Sequence, residues 1–302
     1  MWEIDSATTQ DRKVKLMELY SREGLNAEKF SCKFYLECEC SQKEKGVIKQ
    51  YAGGTAAVSP FYDISYNGIP MRTLIVGKEN GYMKNEKYGT SPNFYENCNN
   101  VLNCIGWKHK NNHIKGTLMI LQYIFQVDTE YIYSSYALSN SLRCAFQKSA
   151  KIENLSSVSD TKIMRDHCIK YLYEEIDILK PNLIICQGEW SIKGKDNFIK
   201  KLSKRCGEEP VCLRKNANGK YGLFKFDEYY VLTCHHPAIL GNWVKNLAPD
   251  SVWPAIDYLR EEGVIPQIDR STSTEEYETL VKDNIDGMLN SMQSNDRLRG
   301  ST

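Results

Sequence analysis

Residues 71–81 read MRTLIVGKENG, a continuous apolar run followed by a polar turn with a glycine on each side. A short run of Leu, Ile and Val that ends in glycine is typical of a strand buried on both faces of a sheet. Further strands are predicted at 131–138, at 183–186 and in a hairpin formed by 223–226 and 229–233. Continuous apolar strands separated by helices indicate an α/β protein with a mostly parallel sheet.

Helical periodicity separates these strands. Apolar residues recur at helical spacing in 9–22, 94–106, 116–126, 161–179, 189–205, 253–261 and an amphipathic tail at 275–292. Residues 41–70 lack such a pattern and are expected to form an irregular loop, and the polar end, 294–302, is expected to be disordered. We therefore predict a single α/β domain at 71–265, preceded at 1–70 by a helix and a cysteine-containing segment, and followed at 266–302 by the tail.

Composition narrows the class of protein. The chain has 302 residues with a net charge of +1, so any basic surface must be local. Its mean hydropathy is negative and it has no apolar run of bilayer length, which excludes a membrane protein. Residues 1–15 lack the apolar core of a signal peptide, so we expect a cytoplasmic protein. The 11 cysteines are then expected to be reduced, which favours metal or catalytic roles over disulfides.

Polar residues follow each predicted strand. Glu79 follows the first strand, Asn140 the second, Gln187 the third and His236 the hairpin. Because ligands bind at the carboxyl ends of strands in open α/β sheets, these side chains are expected to converge. A carboxylate can position water, an amide can read a hydrogen-bonding edge and an imidazole can stabilise an anion. Taken singly, each residue is equally well explained as a solvated loop residue, a turn residue or a satisfied histidine.

Four segments, in order, resemble the motifs of the uracil-DNA glycosylase superfamily, most closely its iron–sulfur-containing bacterial and archaeal branch. They are IVGKENG at 75–81, SNSLRC at 139–144, KPNLIICQG at 180–188 and TCHHPA at 233–238. The resemblance implies a central, mostly parallel sheet of four strands flanked by helices. It also implies a monofunctional DNA glycosylase that flips a pyrimidine nucleotide out of DNA and hydrolyses its N-glycosidic bond.

The same resemblance implies a role for each matching residue. Glu79 would orient water and His236 would donate to the departing base. Gly77, Lys78, Phe94, Tyr95 and Asn140 would form the base site, where Phe94 or Tyr95 stacks on the base and Asn140 reads its pairing edge. Lys78 and Asn80 depart from the family pattern, so the base is either uracil or a modified pyrimidine, such as those of phage genomes. The latter would make the protein an antiviral defence enzyme rather than a DNA repair enzyme.

We expect the protein to bind DNA, either duplex or single-stranded. We also expect it to be a monomer that does not associate with a membrane. Basic residues crowd 193–205 and 108–115, where they can hold phosphates or form a solvated face. In the loop after His236, Ile239, Leu240 and Lys245 are expected to contact DNA, with an apolar side chain filling the space left by the flipped nucleotide. The alternative is a loop packed on the core by Trp243 and Trp253.

Cysteine positions extend the resemblance. In the iron–sulfur branch two ligands lie near the N-terminus, a third ends the SNSLRC-like motif and a fourth lies on the next helix. Cys144 and Cys168 match the last two, and Cys32 with Cys38 or Cys40 supplies the first two. The resemblance thus implies a [4Fe–4S] cluster, with zinc in the same cage as the alternative. The simpler interpretation is that these cysteines are free thiols, either buried or on the surface.

Two rival functions remain at this point. One is a non-catalytic nucleic-acid-binding or redox-sensing module on the same scaffold, and the other is a nucleoside hydrolase. Glu79 and His236 favour an enzyme, because a binding module requires neither.

Overall fold

A computed structural model of the protein describes residues 1–25, 30–44, 49–52, 55–78, 112–147, 161–195 and 197–299. The strands in these ranges are β1 (Trp2–Ile4), β2 (Lys49–Ala52), β3 (Ala57–Val58), β4 (Ile64–Tyr66), β5 (Ile69–Pro70), β6 (Thr73–Gly77), β7 (Ala137–Asn140), β8 (Cys144–Gln147), β9 (Leu183–Gln187), β10 (Val211–Lys215), β11 (Gly222–Lys225) and β12 (Tyr230–Cys234). The longer helices are α1 (Ser6–Arg22), α2 (Tyr35–Lys43), α3 (Asn112–Phe125), α4 (Lys162–Leu179), α5 (Phe198–Cys206), α6 (Trp253–Glu261) and α7 (Arg270–Arg299). Short helical turns lie at Glu130–Ser134, Glu189–Ser191, Leu240–Asn242, Trp243–Leu247 and Ala248–Ser251.

A mixed sheet of seven strands forms the centre, in the order β10-β11-β12-β9-β6-β7-β3. The α/β class is confirmed, and the central strands β12, β9, β6 and β7 are parallel to one another. The expected count of four strands is wrong for the whole sheet, because antiparallel strands extend both edges. The predicted hairpin is present as β11 and β12. The added strands are short or solvent-facing, so neither length nor alternation announces them.

The order of the parallel strands creates one topological switch point. The chain leaves β6 towards β7 on one side, then crosses back and leaves β9 towards β12 on the other side. Right-handed crossovers in opposite directions place their helices on opposite faces of the sheet. A crevice therefore opens between the carboxyl ends of β6 and β9, the usual position of a ligand site in such sheets.

Two apolar layers cover the sheet. On one face, Ile75 and Ile185 pack with α3, α6 and α7. On the other, Val76 and Ile184 pack with α1, α4 and α5. Because alternate residues of the same strand enter different layers, every position of β6 and β9 is buried. This explains why both strands read as continuous apolar runs.

Most predicted helices are confirmed, and side-chain caps set where they begin. The Asp5 carboxylate accepts from the Thr8 amide at 2.9 Å and starts α1 before the predicted residue 9. The Thr161 hydroxyl accepts from the Met164 amide at 3.2 Å and starts α4 at the predicted position. The predicted helix at 94–106 lies outside the described residues.

Two predicted elements are wrong in detail. The strand expected at 131–138 begins as a 3₁₀ turn, Glu130–Ser134, and only Ala137–Asn140 is extended. The helix expected at 189–205 is divided into a short turn at Glu189–Ser191 and helix α5. Gly194, at φ +89°, lies between the two pieces, and Asn197 caps the second. Local capping, by Thr129 at the first element and by Asn197 at the second, therefore outweighed the residue patterns on which the two predictions rested.

The segment 41–70 was expected to be an irregular loop, but its described residues contain four short strands, β2 to β5. β4 and β5 form a small antiparallel sheet with the N-terminal strand β1, and β2 pairs with β8. β3 joins the edge of the main sheet. β2 and β3 depend on partners far away in the sequence, so no local pattern predicts them. β4 and β5 are joined by the two-residue turn Asn67-Gly68, both residues at positive φ, a hairpin signal that the prediction of a loop did not use.

The tail helix is longer than predicted. α7 begins at Arg270 and continues to Arg299, past both the predicted end at 292 and the start of the end expected to be disordered. Tyr277 anchors it to the core, because its hydroxyl lies 2.6 Å from that of Ser135 and its ring contacts Trp2. No helix in the described ranges has both the length and the apolar character needed to cross a membrane.

A buried ion pair connects the sheet to the helices on one face. Arg143, just after β7, donates to Glu175 of α4 at 2.7 Å, and the side chains are 1% and 0% exposed. The same carboxylate accepts from the hydroxyls of Tyr20 on α1 and Ser139 on β7, at 2.6 and 2.5 Å. The Tyr20 hydroxyl in turn accepts from the Ala56 amide. This network joins four segments through one carboxylate.

Removing the charge of this carboxylate is expected to destabilise the fold strongly. Glu175→Gln keeps the shape but leaves the Arg143 guanidinium buried without a counter-charge, a loss typically of about 3–5 kcal/mol. The matched control is Glu174→Gln on the same helix, because Glu174 pairs with Arg22 at the solvent-exposed surface. Urea unfolding should show a large decrease in the free energy of unfolding for Glu175→Gln and little change for Glu174→Gln. Equal effects would mean that the pair does not hold the segments together.

Candidate functional site

The carboxyl ends of the four parallel strands lie level with one another. Gly77 of β6 is opposite Asn140 of β7, and Gln187 of β9 is opposite Cys234 of β12. The pairing of Val76 with Cys186 aligns the two halves. Lys78 and His236, which follow β6 and β12, therefore lie along the same edge as Asn140. The structure thus places these four predicted site residues, Gly77 included, along one edge.

Gly77 and Asn140 fit closely against each other. A Cβ atom at Gly77 would lie 2.5 Å from the Asn140 Oδ1 atom, so any other residue would displace the amide. Asn140 is buried, and the chain after it is tied back to β6. The Ser141 amide donates to the Gly77 carbonyl and the Leu142 amide to the Lys78 carbonyl, both at 2.9 Å. A hydrogen-bonding side chain therefore lies at the carboxyl end of β7, directly against the end of β6.

The loop that carries His236 is fixed from several sides. A Cβ atom at Gly116 of α3 would lie 2.4 Å from Pro237, so the absence of a side chain there permits close contact. Asn112 of α3 donates to the Ala238 carbonyl at 2.9 Å. The Trp243 indole donates to the His235 carbonyl at 3.0 Å. His236 is thus presented by a loop that α3 supports directly.

A second histidine contacts His236. The His113 ring of α3 stacks on the His236 ring, with centroids 4.8 Å apart and planes 20° apart. His113 Nε2 is hydrogen-bonded to the Gln187 side-chain oxygen, and the Gln187 amide donates to the Thr117 hydroxyl at 3.2 Å. Burial is the largest cause that lowers the pKa of His113, to about 4, and it also lowers that of His236. From the sequence, His113 was only one member of the basic segment 108–115. No neighbouring residue in the sequence indicates that its ring contacts His236.

A cavity of about 650 Å³ opens at this edge and is lined mainly by cations. Its charged lining residues are Lys78, Lys162, Arg165, Lys193, Lys195, Lys201 and the carboxylate Glu189. Glu189 is ion-paired with Lys193 and Lys220. Gln187, Trp190 and His236 contribute the remaining polar and aromatic surface. A concave site with this charge favours an anionic ligand, and its volume lies in the usual range for small-molecule sites.

The residues expected to touch DNA lie beyond His236 and differ in exposure. Ile239 is 72% exposed, a high value for a large apolar side chain. Leu240 is partly buried against the core, within 3.8 Å of the Cβ position of Gly116, and Lys245 is exposed. Trp243 is fully buried, so the loop is anchored on the core, as the alternative interpretation held, while Ile239 still projects from it. Glu79, Phe94 and Tyr95 lie outside the described residues.

The cysteines lie on the face of the sheet that carries α4. Cys38, Cys144 and Cys168 are buried in one small cluster with Leu142 and Met164. Cys32 lies beside this cluster, its sulfur 3.5 Å from the Tyr171 hydroxyl. Of the two alternatives on α2, Cys38 is buried and Cys40 is exposed. The four segments that carry these thiols are therefore brought to one region.

The cysteine region is not a closed metal cage as it stands. Within the described ranges, no three His, Cys, Asp or Glu side chains are close enough together to hold a metal ion. Burial, followed by the nearby thiols of Cys168 and Cys32, raises the pKa of Cys38 to about 12. Burial also raises the pKa of Cys168 to about 11. In this arrangement both side chains are neutral thiols at neutral pH.

Substituting Gly77 is expected to disturb the switch point. Gly77→Ala forces the Asn140 amide away, and overpacking of this kind typically costs about 1–3 kcal/mol. Exchange of the Ser141 and Leu142 amides should accelerate, because both donate to carbonyls of the displaced segment. The control is Gly241→Ala, where a Cβ atom meets nothing within 4 Å. Urea unfolding and native-state hydrogen exchange measure both effects, and unchanged amide protection in Gly77→Ala would contradict the close fit.

The chain matches no protein-family model and no curated protein sequence. The basis for a function is therefore the chemistry of the residues at the switch point and around the cavity.

Proposed function

We propose that the protein is a monofunctional DNA glycosylase that flips a pyrimidine nucleotide out of DNA and hydrolyses its N-glycosidic bond. The observation that carries this proposal is that a buried amide, Asn140, and an imidazole, His236, lie on one edge of the sheet beside a cation-lined cavity. The amide suits recognition of a base, the imidazole suits an anionic leaving group and the cations suit phosphates. The uracil-DNA glycosylase-like fold is part of the same proposal.

Base recognition is assigned to Asn140. Its side chain has both a donor and an acceptor, so it can pair with the edge of uracil or, with the amide rotated, with a cytosine-like edge. The close fit against Gly77 restricts the movement of the amide. Phe94 or Tyr95 supplies the aromatic ring that stacks on the base. Lys78 lines the cavity, and Gly77 lies directly against Asn140. The substrate base is uracil or a modified pyrimidine.

Bond cleavage separates charge, and the proposed residues match that separation. When the C1′–N bond breaks, its electron pair leaves with the base, and the sugar becomes an oxocarbenium ion. His236 donates a hydrogen bond to the departing base anion, and Glu79 stabilises the sugar cation and orients a water molecule. The water oxygen bonds to C1′, Glu79 takes up its proton, and the base anion is protonated from solvent. The products are the free base and an abasic site.

DNA binding is assigned to the cations of the cavity and to the loop after His236. A duplex is too wide to enter a cavity of about 650 Å³, so its occupant must be an extruded nucleotide or a single strand. Lysine and arginine around the rim neutralise the phosphates on either side. Ile239 projects from the anchored loop and can fill the space that the flipped nucleotide leaves.

A bound iron–sulfur cluster or zinc ion is proposed for the cysteine region. Cys32, Cys38, Cys144 and Cys168 are the donors, and thiolates suit either group. The donor set fits by chemistry and by region, although closure of a cage requires the side chains to move and to lose protons. The group would be structural. Cys32 and Cys38 would then tie the N-terminal segment to β8 and α4, and Cys144 would secure the chain that follows Asn140.

The catalytic roles are tested by removing each group with little change in shape. Glu79→Gln and His236→Ala should each lower base release on the order of a hundred- to a thousand-fold, because both groups act on charge that develops in the transition state. Binding of abasic-site DNA should change little. Release is measured by mass spectrometry on uracil-containing and phage-modified DNAs, with free nucleosides alongside. Full release by both variants would refute the placement of the active site.

Lys78→Ala is the control for a different mechanism. A comparable loss of base release in Lys78→Ala, together with borohydride trapping of a DNA adduct in the parent, would indicate imine chemistry instead of hydrolysis. Release from nucleosides but not from DNA would identify a nucleoside hydrolase. DNA binding without release from any substrate would identify a binding module.

The metal proposal is tested on anaerobically purified protein. We expect iron and sulfide, a brown colour and broad visible absorption, or stoichiometric zinc. Either signal should be lost in Cys144→Ser and Cys168→Ser, because each removes a buried donor. Cys206→Ser is the matched control, since Cys206 is exposed and outside the cluster. Protein that holds neither iron nor zinc would mean that the four cysteines are structural thiols.

A further inference from the structure

The stacked pair of His113 and His236 is the strongest feature of the site that the proposed function leaves unexplained. The two imidazoles come from different elements, α3 and the loop after β12, and their rings are nearly parallel, at 20°. His113 is largely enclosed by protein, and His236 faces the cavity. A histidine placed behind a proposed catalytic histidine can act through it without touching the substrate.

The hydrogen bonds behind the stack determine the tautomer of His113. The Gln187 amide nitrogen donates to Thr117, so the Gln187 oxygen is the atom that faces His113. With the Gln187 amide in this orientation its oxygen can only accept, which places the hydrogen on His113 Nε2. If His113 is neutral, its Nδ1 then carries none. Gln187 and Thr117 are both buried, which leaves this arrangement little freedom.

We propose that His113 is a positioning residue that holds the His236 ring in plane and keeps it uncharged as a hydrogen-bond donor. The inference rests on the proposed function only for its catalytic consequence. The geometry behind it is independent, because Gln187 fixes the His113 ring and the His113 ring covers one face of His236.

The close packing of α3 on the loop keeps the two rings together. Gly116 lies directly against Pro237, the residue after His236, and Asn112 holds the Ala238 carbonyl. Both contacts come from the same helix that carries His113. The helix and the loop are therefore packed closely where the two rings stack.

The charged groups around the cavity also face His236. The groups that line it with His236 are Lys78 after β6, Lys162 and Arg165 of α4, Lys201 of α5, and Glu189, Lys193 and Lys195 between β9 and α5. Several of these charges are paired with one another: Asp166 is the ion-pair partner of Lys162 and Lys201, and Glu189 is that of Lys193 and Lys220. Desolvation lowers the pKa of His236. His236 should therefore remain neutral at neutral pH and gain a proton only as the pH falls below the ordinary histidine range.

Imidazole NMR tests the positioning role without any assay of activity. The chain has only 5 histidines, so ring signals can be assigned by substitution. In the parent, His236 should titrate below its ordinary range and His113 should show the Nε2–H tautomer. In His113→Ala, water replaces the ring and the pKa of His236 should rise by roughly half a unit or more. In His113→Phe, an aromatic ring still covers His236, so its pKa should stay near that of the parent.

The control is His235→Ala. Its ring contacts Tyr221 rather than His113, so the titration of His236 should not move. An unchanged His236 pKa in His113→Ala, or an Nδ1–H tautomer for His113, would overturn the proposal. Loss of the low pKa in His113→Phe as well would show that stacking is not what keeps His236 uncharged.

Base release supplies the second readout. His113→Ala should lower release on the order of ten- to a hundred-fold and move the acid limb of the pH profile upward, and His113→Phe should restore most of both. A purely structural role would lower activity in both variants without moving the profile. If the parent releases no base at all, the glycosylase proposal fails, while the NMR titrations still decide whether His113 controls His236.

Discussion

The buried pair of Arg143 and Glu175 is the interaction on which the site most depends. Arg143 lies between Asn140 and Cys144, so the residue proposed to read the base and a proposed cluster ligand sit on either side of it. Its guanidinium is almost completely buried, and Glu175 is its ion-pair partner at 2.7 Å. A buried charge of this kind is tolerated only in one geometry. The position of Glu175 on α4 therefore determines the position of the chain that follows β7.

The parallel sheet imposes the second constraint, because it aligns strand ends that are distant in the sequence. Four strands that run in one direction must deliver the residues that follow them to the same edge. Helix α3 then adds a residue from outside the strand ends. Its first turn approaches the loop after β12 closely enough for His113 to stack on His236, and Gly116 makes that approach sterically feasible. The sheet therefore brings the residues of the edge together, and helix α3 adds His113 beside His236.

The sequence predicted those parts of the fold that depend on local pattern. β6, β9 and the β11–β12 hairpin were predictable because continuous apolar runs end in glycine or a turn. α4 was predictable because Thr161 precedes it and Pro181 follows it. Four of the predicted site residues lie on one edge because they end or follow strands that run in the same direction: Gly77, Lys78, Asn140 and His236. Pairings between distant residues left no local trace: β1 with β4, Arg143 with Glu175 and His113 with His236 are each defined only by tertiary packing.

The charge balance of the cavity bears directly on where the missing carboxylate must come from. Cleavage of a glycosidic bond produces an anion on the base and a cation on the sugar, and lysines and arginine around the cavity favour only the anion. Among the described lining residues, Glu189 is the one carboxylate, and its charge is compensated by Lys193 and Lys220. A hydrolytic mechanism therefore needs a carboxylate from outside this set. The proposed function assigns that charge to Glu79, which follows the cavity-lining residue Lys78 in the sequence.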